Sequence, residues 1–386
     1  MIPLRNLRRS IKKAREFPVY AVRAALMRAR GSVSYRLGRG WSTPPETVSL
    51  LPSYACNLRC AMCGQWGEGG SSVYYTPEIL SRRLSLSDIE AVVADLSRRK
   101  ILPPAITLFG GEPLLYKDII GAVSLIKGAG LRVNIITNGT LLSRHAADLV
   151  AAGLDEIIFS LDGPPAVHDR VRGRDGVFEE ARTGFALLAE EKKKAGKKHP
   201  IVNVNSTIFD FNYRHLAETV ETARGLGVRD VTFHHLIFIS RDMYDRHNRI
   251  MTDLFDTEST DWAGFIEDTL PDIDPEILTE QIREATALGA SIYPNLTREE
   301  IARYYTEFPF QPRSYSGRCK SPWMTAYIFP DKSVRPCLSM NVSMGSLDDA
   351  SFYDIWNNDR YRRYRREVKN RGRFPACDRC TELFRF

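Results

Sequence analysis

The sequence predicts an α/β fold, an incomplete barrel of six β/α units with a small cysteine-bearing module behind it. Three observations carry this expectation. Six short apolar runs alternate with helical patterns between residues 48 and 239. Glycines (Gly128, Gly130, Gly153, Gly227) close several of those helical patterns, as C-terminal capping requires. The seven cysteines fall into two groups far apart in the chain. Alternating strands and helices imply a parallel sheet with right-handed crossovers. Six units are too few to close an eight-stranded barrel, so the expected class is a partial, TIM-like (β/α)6 barrel.

The first segment, residues 1–47, is basic. Residues 1–41 hold eleven Lys or Arg against Glu16, a charge of +10 that leaves −3 for the rest of the chain. One or two short helices, interrupted near Pro18, place Phe17, Val19, Tyr20, Val22, Leu26 and Met27 among the arginines. Residues 1–41 therefore suit peripheral contact with an anionic membrane, where each basic residue contributes about 1 kcal/mol. A solvated helix packed on its own domain, a cleaved transit peptide and a nucleic-acid arm are the competing readings.

The second segment, residues 48–239, is the barrel. Its expected strands are Val48–Pro52, Ala105–Phe109, Arg132–Thr137, Glu156–Leu161, Ile201–Thr207 and Asp230–His235. Helical spacing covers Ser87–Arg99, Lys117–Gly128, Ser143–Ala152, Val177–Lys194 and Tyr213–Leu226. Residues 240–318 are polar and acidic, with helical patches at Pro275–Leu288 and Thr297–Tyr305, and read as a bridge that covers substrate. In the last segment, residues 319–386, Thr325–Val334 has the pattern of a hairpin turning at Asp331–Ser333. A helix over Ser351–Lys369 follows, and then Cys377-Asp-Arg-Cys380.

Bulk properties narrow the class. Hydrophobic content of 43% and charged content of 26% are those of a globular protein. No apolar run reaches the length of about eighteen residues that a spanning helix needs. The basic, interrupted start does not suit a secretory signal peptide. An odd cysteine count argues against a pure disulfide framework. The expected location is cytoplasmic, with the basic segment as the means of peripheral placement on the inner face of the membrane.

The cysteine arithmetic carries the chemistry. Cys56, Cys60 and Cys63 lie within CNLRCAMC just past the first strand, whereas Cys319, Cys337, Cys377 and Cys380 all lie in the last segment. Four thiolates can close a metal site, but three leave one position open, as catalytic centres do. Incidental thiols, or zinc completed by a distant histidine, are the alternatives for the triad. A zinc ribbon is the alternative for the group of four.

CxxxCxxC after the first strand of such a chain resembles the radical S-adenosylmethionine (SAM) enzymes. The resemblance implies a 4Fe–4S cluster on Cys56, Cys60 and Cys63 whose open iron binds SAM, with electrons from a flavodoxin- or ferredoxin-type donor. Reductive cleavage of SAM then gives a 5′-deoxyadenosyl radical that abstracts a substrate hydrogen. Leu108-Phe-Gly-Gly-Glu-Pro-Leu resembles the motif that holds the SAM amino group, through Gly110, Gly111 and Glu112. By the same resemblance Asn138 sits near the ribose, and Ser160 and Arg172 sit near the carboxylate. Met62 departs from the aromatic residue that many members carry before the third cysteine. The four later cysteines resemble the SPASM/twitch region in a shortened form with one auxiliary 4Fe–4S cluster.

A closed auxiliary cluster suits electron transfer better than substrate ligation. The implied reading is thus a radical SAM oxidoreductase that dehydrogenates or crosslinks a small-molecule, sugar or lipid-linked substrate. Maturation of a peptide or protein is the alternative within the family. From another class comes a non-enzymatic iron–sulfur or zinc protein whose basic leader binds nucleic acid, with Arg360-Tyr-Arg-Arg-Tyr-Arg-Arg366 interleaving aromatics and arginines as nucleic-acid surfaces do. The GGEP turn has no role in that class, and a helix with a solvated charged face accounts for the basic run equally well. No general base is identified. Asp162, His234 and His235 are the polar candidates at strand ends.

Overall fold

The structure, a computed structural model, describes residues 18–67, 69–98, 101–228 and 230–386. The first seventeen residues of the basic segment lie outside this range.

One ten-stranded sheet organises the chain. Strands β1 (Thr47–Leu50), β2 (Ala105–Leu108), β3 (Val133–Thr137), β4 (Glu156–Ser160), β5 (Ile201–Thr207) and β6 (Val231–His234) are parallel neighbours in sequence order. Their β-branched and aromatic residues form the ladder because alternate positions can pack against flanking helices. Val133, Ile135, Ile157, Phe159, Val231 and Phe233 are all buried on that account.

The sheet is larger than the six expected strands. β7 (Ser291–Tyr293) adds to β6 in parallel, from within the acidic bridge. β8 (Thr325–Ile328) adds to the other side of β1, also in parallel, so that Leu50 faces both Leu108 and Ile328. The expected hairpin follows: β9 (Ser333–Arg335) runs antiparallel to β8, and β10 (Gly345–Ser346) runs antiparallel to β9. The cysteine-bearing module is therefore joined to the barrel through the sheet itself.

Two helical expectations are corrected. The single helix over Ser351–Lys369 is two, Phe352–Trp356 and Asp359–Arg371. Asn358 separates them, because its side-chain oxygen accepts from the Tyr361 amide at 2.8 Å and so starts a new helix. Within the second helix Tyr361, Tyr364 and Arg365 are buried. Arg365 stacks on Trp356 and Tyr361 and donates to the carbonyls of Pro322 and Gly40. The aromatic residues of the basic run thus belong to the core, and the interleaved surface that suggested nucleic acid does not form.

The bridge also holds a helix that the sequence reading omitted, Arg241–Phe255. Its His247 is fully buried against Trp262 and Phe374, with no partner on either ring nitrogen among the described residues. Burial lowers the His247 pKa to about 3. His235 is lowered to about 3 by burial and then by His234. Both imidazoles are neutral when folded and return to about 6.5 on unfolding. The unfolded chain therefore binds more protons below pH 6.5, and stability falls as pH drops from about 6.5 toward 3. Each group contributes about 1.4 kcal/mol per pH unit in that window. Replacing His247 by leucine is expected to flatten the acid decline of the urea midpoint, and an unchanged slope would show that His247 is charged in the fold.

Candidate active site

The C-terminal ends of β1 to β5 converge on the cysteine loop that follows β1. Cys56, Cys60 and Cys63 pack together there with Leu58, Met62 and Val177. Met62 is partly buried and fills this apolar gap. The loop is tied down at several points. The Cys63 sulfur accepts from the Trp66 amide at 3.2 Å, and the Trp66 indole donates to the Tyr54 carbonyl at 2.9 Å. Burial pushes the Cys56 thiol up to about 11 and raises Cys60 as well, although Arg172 opposes the second shift. Loading a metal cluster onto these thiols must release protons.

The GGEP turn supports this loop directly. The Glu112 amide donates to the Ala55 carbonyl at 2.7 Å. A side chain at Gly111 would overlap the Tyr54 and Ala55 carbonyls, so glycine permits a backbone-to-backbone approach here. Glu112 is buried, and its carboxylate accepts from the Leu114 amide (3.0 Å), the Thr137 hydroxyl (2.7 Å) and the Asn138 amide (2.8 Å). Burial raises its pKa despite these donors. Two carboxylate oxygens accept about four hydrogen bonds, so one acceptor position remains for a further donor.

Asn138 joins the third strand end to the cysteine loop. Its amide group donates to the Asn57 side chain at 3.0 Å, while Asn57 donates to the Thr140 hydroxyl at 2.9 Å. Asn57 and Thr140 were missed in the sequence reading. Asn57 lies inside CNLRCAMC, and its position within the motif was the available signal.

Arg172 ends the Pro165–Arg172 helix, buried beside Cys60. It donates to the Ser160 carbonyl at 2.8 Å, approaches the Cys60 sulfur at 3.6 Å and pairs with Asp162. Burial alone would lower the guanidinium pKa, but Asp162 and then Cys60 outweigh it and raise it. Its Nε has no partner among the described residues. A buried cation with a free donor beside the cysteine triad is suited to an anionic group of a ligand.

The three polar candidates have different surroundings. Asp162 is buried, and it accepts from the Thr207 amide at 2.9 Å in addition to pairing with Arg172. Its carboxylate joins the ends of β4 and β5 and holds Arg172. His235 is buried, and one ring nitrogen contacts the Tyr305 hydroxyl at 2.9 Å. Its ring packs against Tyr304 and Tyr305 in the core. His234 is half-buried, edge-on to Tyr293.

A second network, absent from the sequence reading, runs from this loop to the hairpin. Tyr54 stacks obliquely on Tyr75, whose hydroxyl donates to Asp261. Arg335 donates to Asp261 at 3.2 Å and to Asp331 at 3.0 Å, and it lies 3.7 Å over the Phe329 ring. Tyr54 is two residues before Cys56, and Arg335 is two residues before Cys337. Beside the loop lies a groove of about 650 Å³, lined by Arg59, Trp66, Val73 and Phe209 among others. Its size lies within the range of small-ligand sites.

The later cysteines also meet. Cys319, Cys337, Cys377 and Cys380 line one cavity, whose wall includes Pro322, Tyr364, Phe374 and Leu383. Hydrogen bonding to Cys337 and then burial raise Cys380, while burial raises Cys319 and Cys377. Among the described residues no three His, Cys, Asp or Glu side chains form a cage for a single metal ion. An iron–sulfur cube spreads its thiolates over separate irons, and four thiols around one enclosed space are the donor set it takes.

Comparison with known proteins gives a consistent picture. Residues 50–223 match the family described as the radical SAM superfamily, and residues 319–381 match the SPASM iron–sulfur cluster-binding domain. The chain is 25% identical over 340 residues to the AdoMet-dependent heme synthase of Methanosarcina barkeri, covering 86% of this chain and 88% of that protein. It is 24% identical over 328 residues to the sporulation killing factor maturation protein SkfB of Bacillus subtilis, covering 84% and 68%. In fold it is similar to Streptococcus suis SuiB, in a crystal structure bound to precursor peptide SuiA. That match has a TM-score of 0.57 at 14% identity, over 86% of this chain and 69% of that one.

Proposed function

The chain belongs to the radical SAM superfamily and carries a SPASM iron–sulfur domain, and from that membership we propose that it oxidises a small organic substrate. A 4Fe–4S cluster, SAM and an auxiliary iron–sulfur cluster are its cofactors. When bound, the first cluster and SAM supply a deoxyadenosyl radical that takes a hydrogen atom, and the auxiliary cluster supplies an electron acceptor. The substrate thereby loses one hydrogen atom, one electron and one proton.

We assign Cys56, Cys60 and Cys63 to the first cluster and Cys319, Cys337, Cys377 and Cys380 to the auxiliary one. Arg172, held by Asp162, directs its free Nε toward the SAM carboxylate. Glu112 keeps one acceptor position for the SAM ammonium group while it fixes the ends of β2 and β3. Gly110 and Gly111 seat the cysteine loop, Asn138 ties that loop to β3 beside the ribose, and the Ser160 carbonyl orients Arg172. Trp66 and Phe209, with Arg59, bound the groove through which substrate reaches the centre.

The observation that carries the oxidative reading is the meeting of four cysteines around one cavity, Cys377 and Cys380 buried and Cys319 and Cys337 half-buried. A cluster held by all four of these thiolates would leave no iron open to substrate, which suits electron transfer better than substrate ligation. A small substrate is supported by near full-length similarity to an AdoMet-dependent heme synthase. Similarity to a peptide maturation protein favours a second reading, a peptide substrate.

Anaerobic reconstitution of the chain is expected to give about eight irons. Deuterium transfer from candidate substrates into deoxyadenosine identifies the substrate. With it in hand, the double substitution Cys377→Ser and Cys380→Ser should preserve deoxyadenosine release and abolish the oxidised product. Retention of full turnover would refute electron transfer through the auxiliary site. Deuterium transfer from a peptide alone would favour the second reading.

A further inference from the structure

The helix Pro18–Leu37 has two apolar sides. The inner side packs on the core: Met27 is buried, Gly31 lies against Met324, and Tyr35 meets Trp323 edge-on at 4.8 Å. The outer side is unpartnered among the described residues. Val22, Leu26, Val33 and Leu37 expose 60%, 53%, 57% and 77% of their surface. Spaced at i, i+4, i+11 and i+15, they lie within about 60° of one another around the helix. Ala25 and Ala29 are exposed along the same helix, and Trp41, four residues past its end, is 46% exposed. An apolar stripe of this length is more than scattered surface residues provide.

Its borders are cationic. Arg36 is exposed beside Leu37. Exposed Arg366 and half-buried Lys369, from the helix Asp359–Arg371, donate to the Arg39 and Arg36 carbonyls, which brings that basic helix alongside. The chain leading into the stripe adds Arg5, Arg8, Arg9, Lys12, Lys13 and Arg15 against Glu16. No helix among the described residues is long and apolar enough to cross a membrane.

We propose that the outer face of the Pro18–Leu37 helix rests on an anionic phospholipid bilayer, with the stripe at the acyl boundary and the flanking arginines among the headgroups. Charge selects this occupant. A protein partner or a second copy could cover the apolar residues, but a negatively charged apolar interface matches both the stripe and its cationic rim. Trp41 suits the headgroup level, where aromatic rings with a polar edge collect. The inference is independent of which substrate the enzyme oxidises.

Co-sedimentation of the full chain with phosphatidylcholine vesicles, with and without phosphatidylglycerol, tests it. Binding is expected only with phosphatidylglycerol and should weaken as salt rises. The double substitution Leu26→Glu and Val33→Glu should lower the partition coefficient by about tenfold or more, at unchanged iron content. The set Arg8→Gln, Arg9→Gln, Lys12→Gln and Lys13→Gln should also weaken binding. Equal partition of the glutamate variant and the parent chain would overturn the proposal. So would absence of vesicle binding with a concentration-dependent dimer in light scattering, which would assign the face to a second copy.

Discussion

Cys60→Ala is expected to reduce deoxyadenosine formation to the level of reductant and SAM alone. Cys60 is the buried member of the triad and the one beside Arg172. On the proposed assignment the first cluster would keep two protein ligands without this thiolate, too few to hold it. The auxiliary site is untouched, so about half of the iron should remain. Iron analysis and deoxyadenosine release after reduction are the two readouts. A variant with full iron and more than about a tenth of the parent rate would show that Cys60 is not a ligand.

The second large effect concerns stability. Arg172→Met removes the partner of Asp162 in a site where both groups are buried. A buried carboxylate left without its cation costs about 3–5 kcal/mol. Asp162→Asn should relieve part of that cost in the double variant, because an amide can still accept from the Thr207 amide without carrying a charge. The double variant should therefore lose less than the sum of the two single losses in denaturant titration. Strict additivity would mean that the pair contributes nothing beyond its separate contacts. Loss of SAM binding in Arg172→Met at a temperature where the variant is folded would separate the ligand role from the stabilising one.

Much of the architecture was legible because its signals are local. Short runs of β-branched and aromatic residues reported the six barrel strands, and helical spacing reported the crossovers. The division of seven cysteines into three and four survived folding, since each group converges. What the sequence concealed was long-range pairing. β8 joins β1 across most of the chain, and three-residue β7 has no pattern of its own. The Asp261–Arg335 bridge links two residues that are unremarkable in their own segments. Asp162 and His235 were attractive as polar groups at strand ends, but a strand end can equally be closed by a buried ion pair or by an aromatic wall. Asn358 shows the same limit locally: within a run of charged residues, the chemistry of one cap decided whether there was one helix or two.

The pairing of β1 with β8 has a consequence for the order of assembly. β1 cannot complete its hydrogen bonding until residues near 325 have been synthesised, although its other partner, β2, is available early. Until then β1 presents an open ladder edge with the cysteine loop directly behind it, an invitation to wrong pairing. Residues 319–386, the last segment, hold β8 and all four of the later cysteines, so closure of the sheet and completion of the second thiol set come late and together. A ribosome that stalls before residue 319 would release a chain with three free thiols and an unsatisfied strand, a poor recipient for an iron–sulfur cluster and a good substrate for a protease.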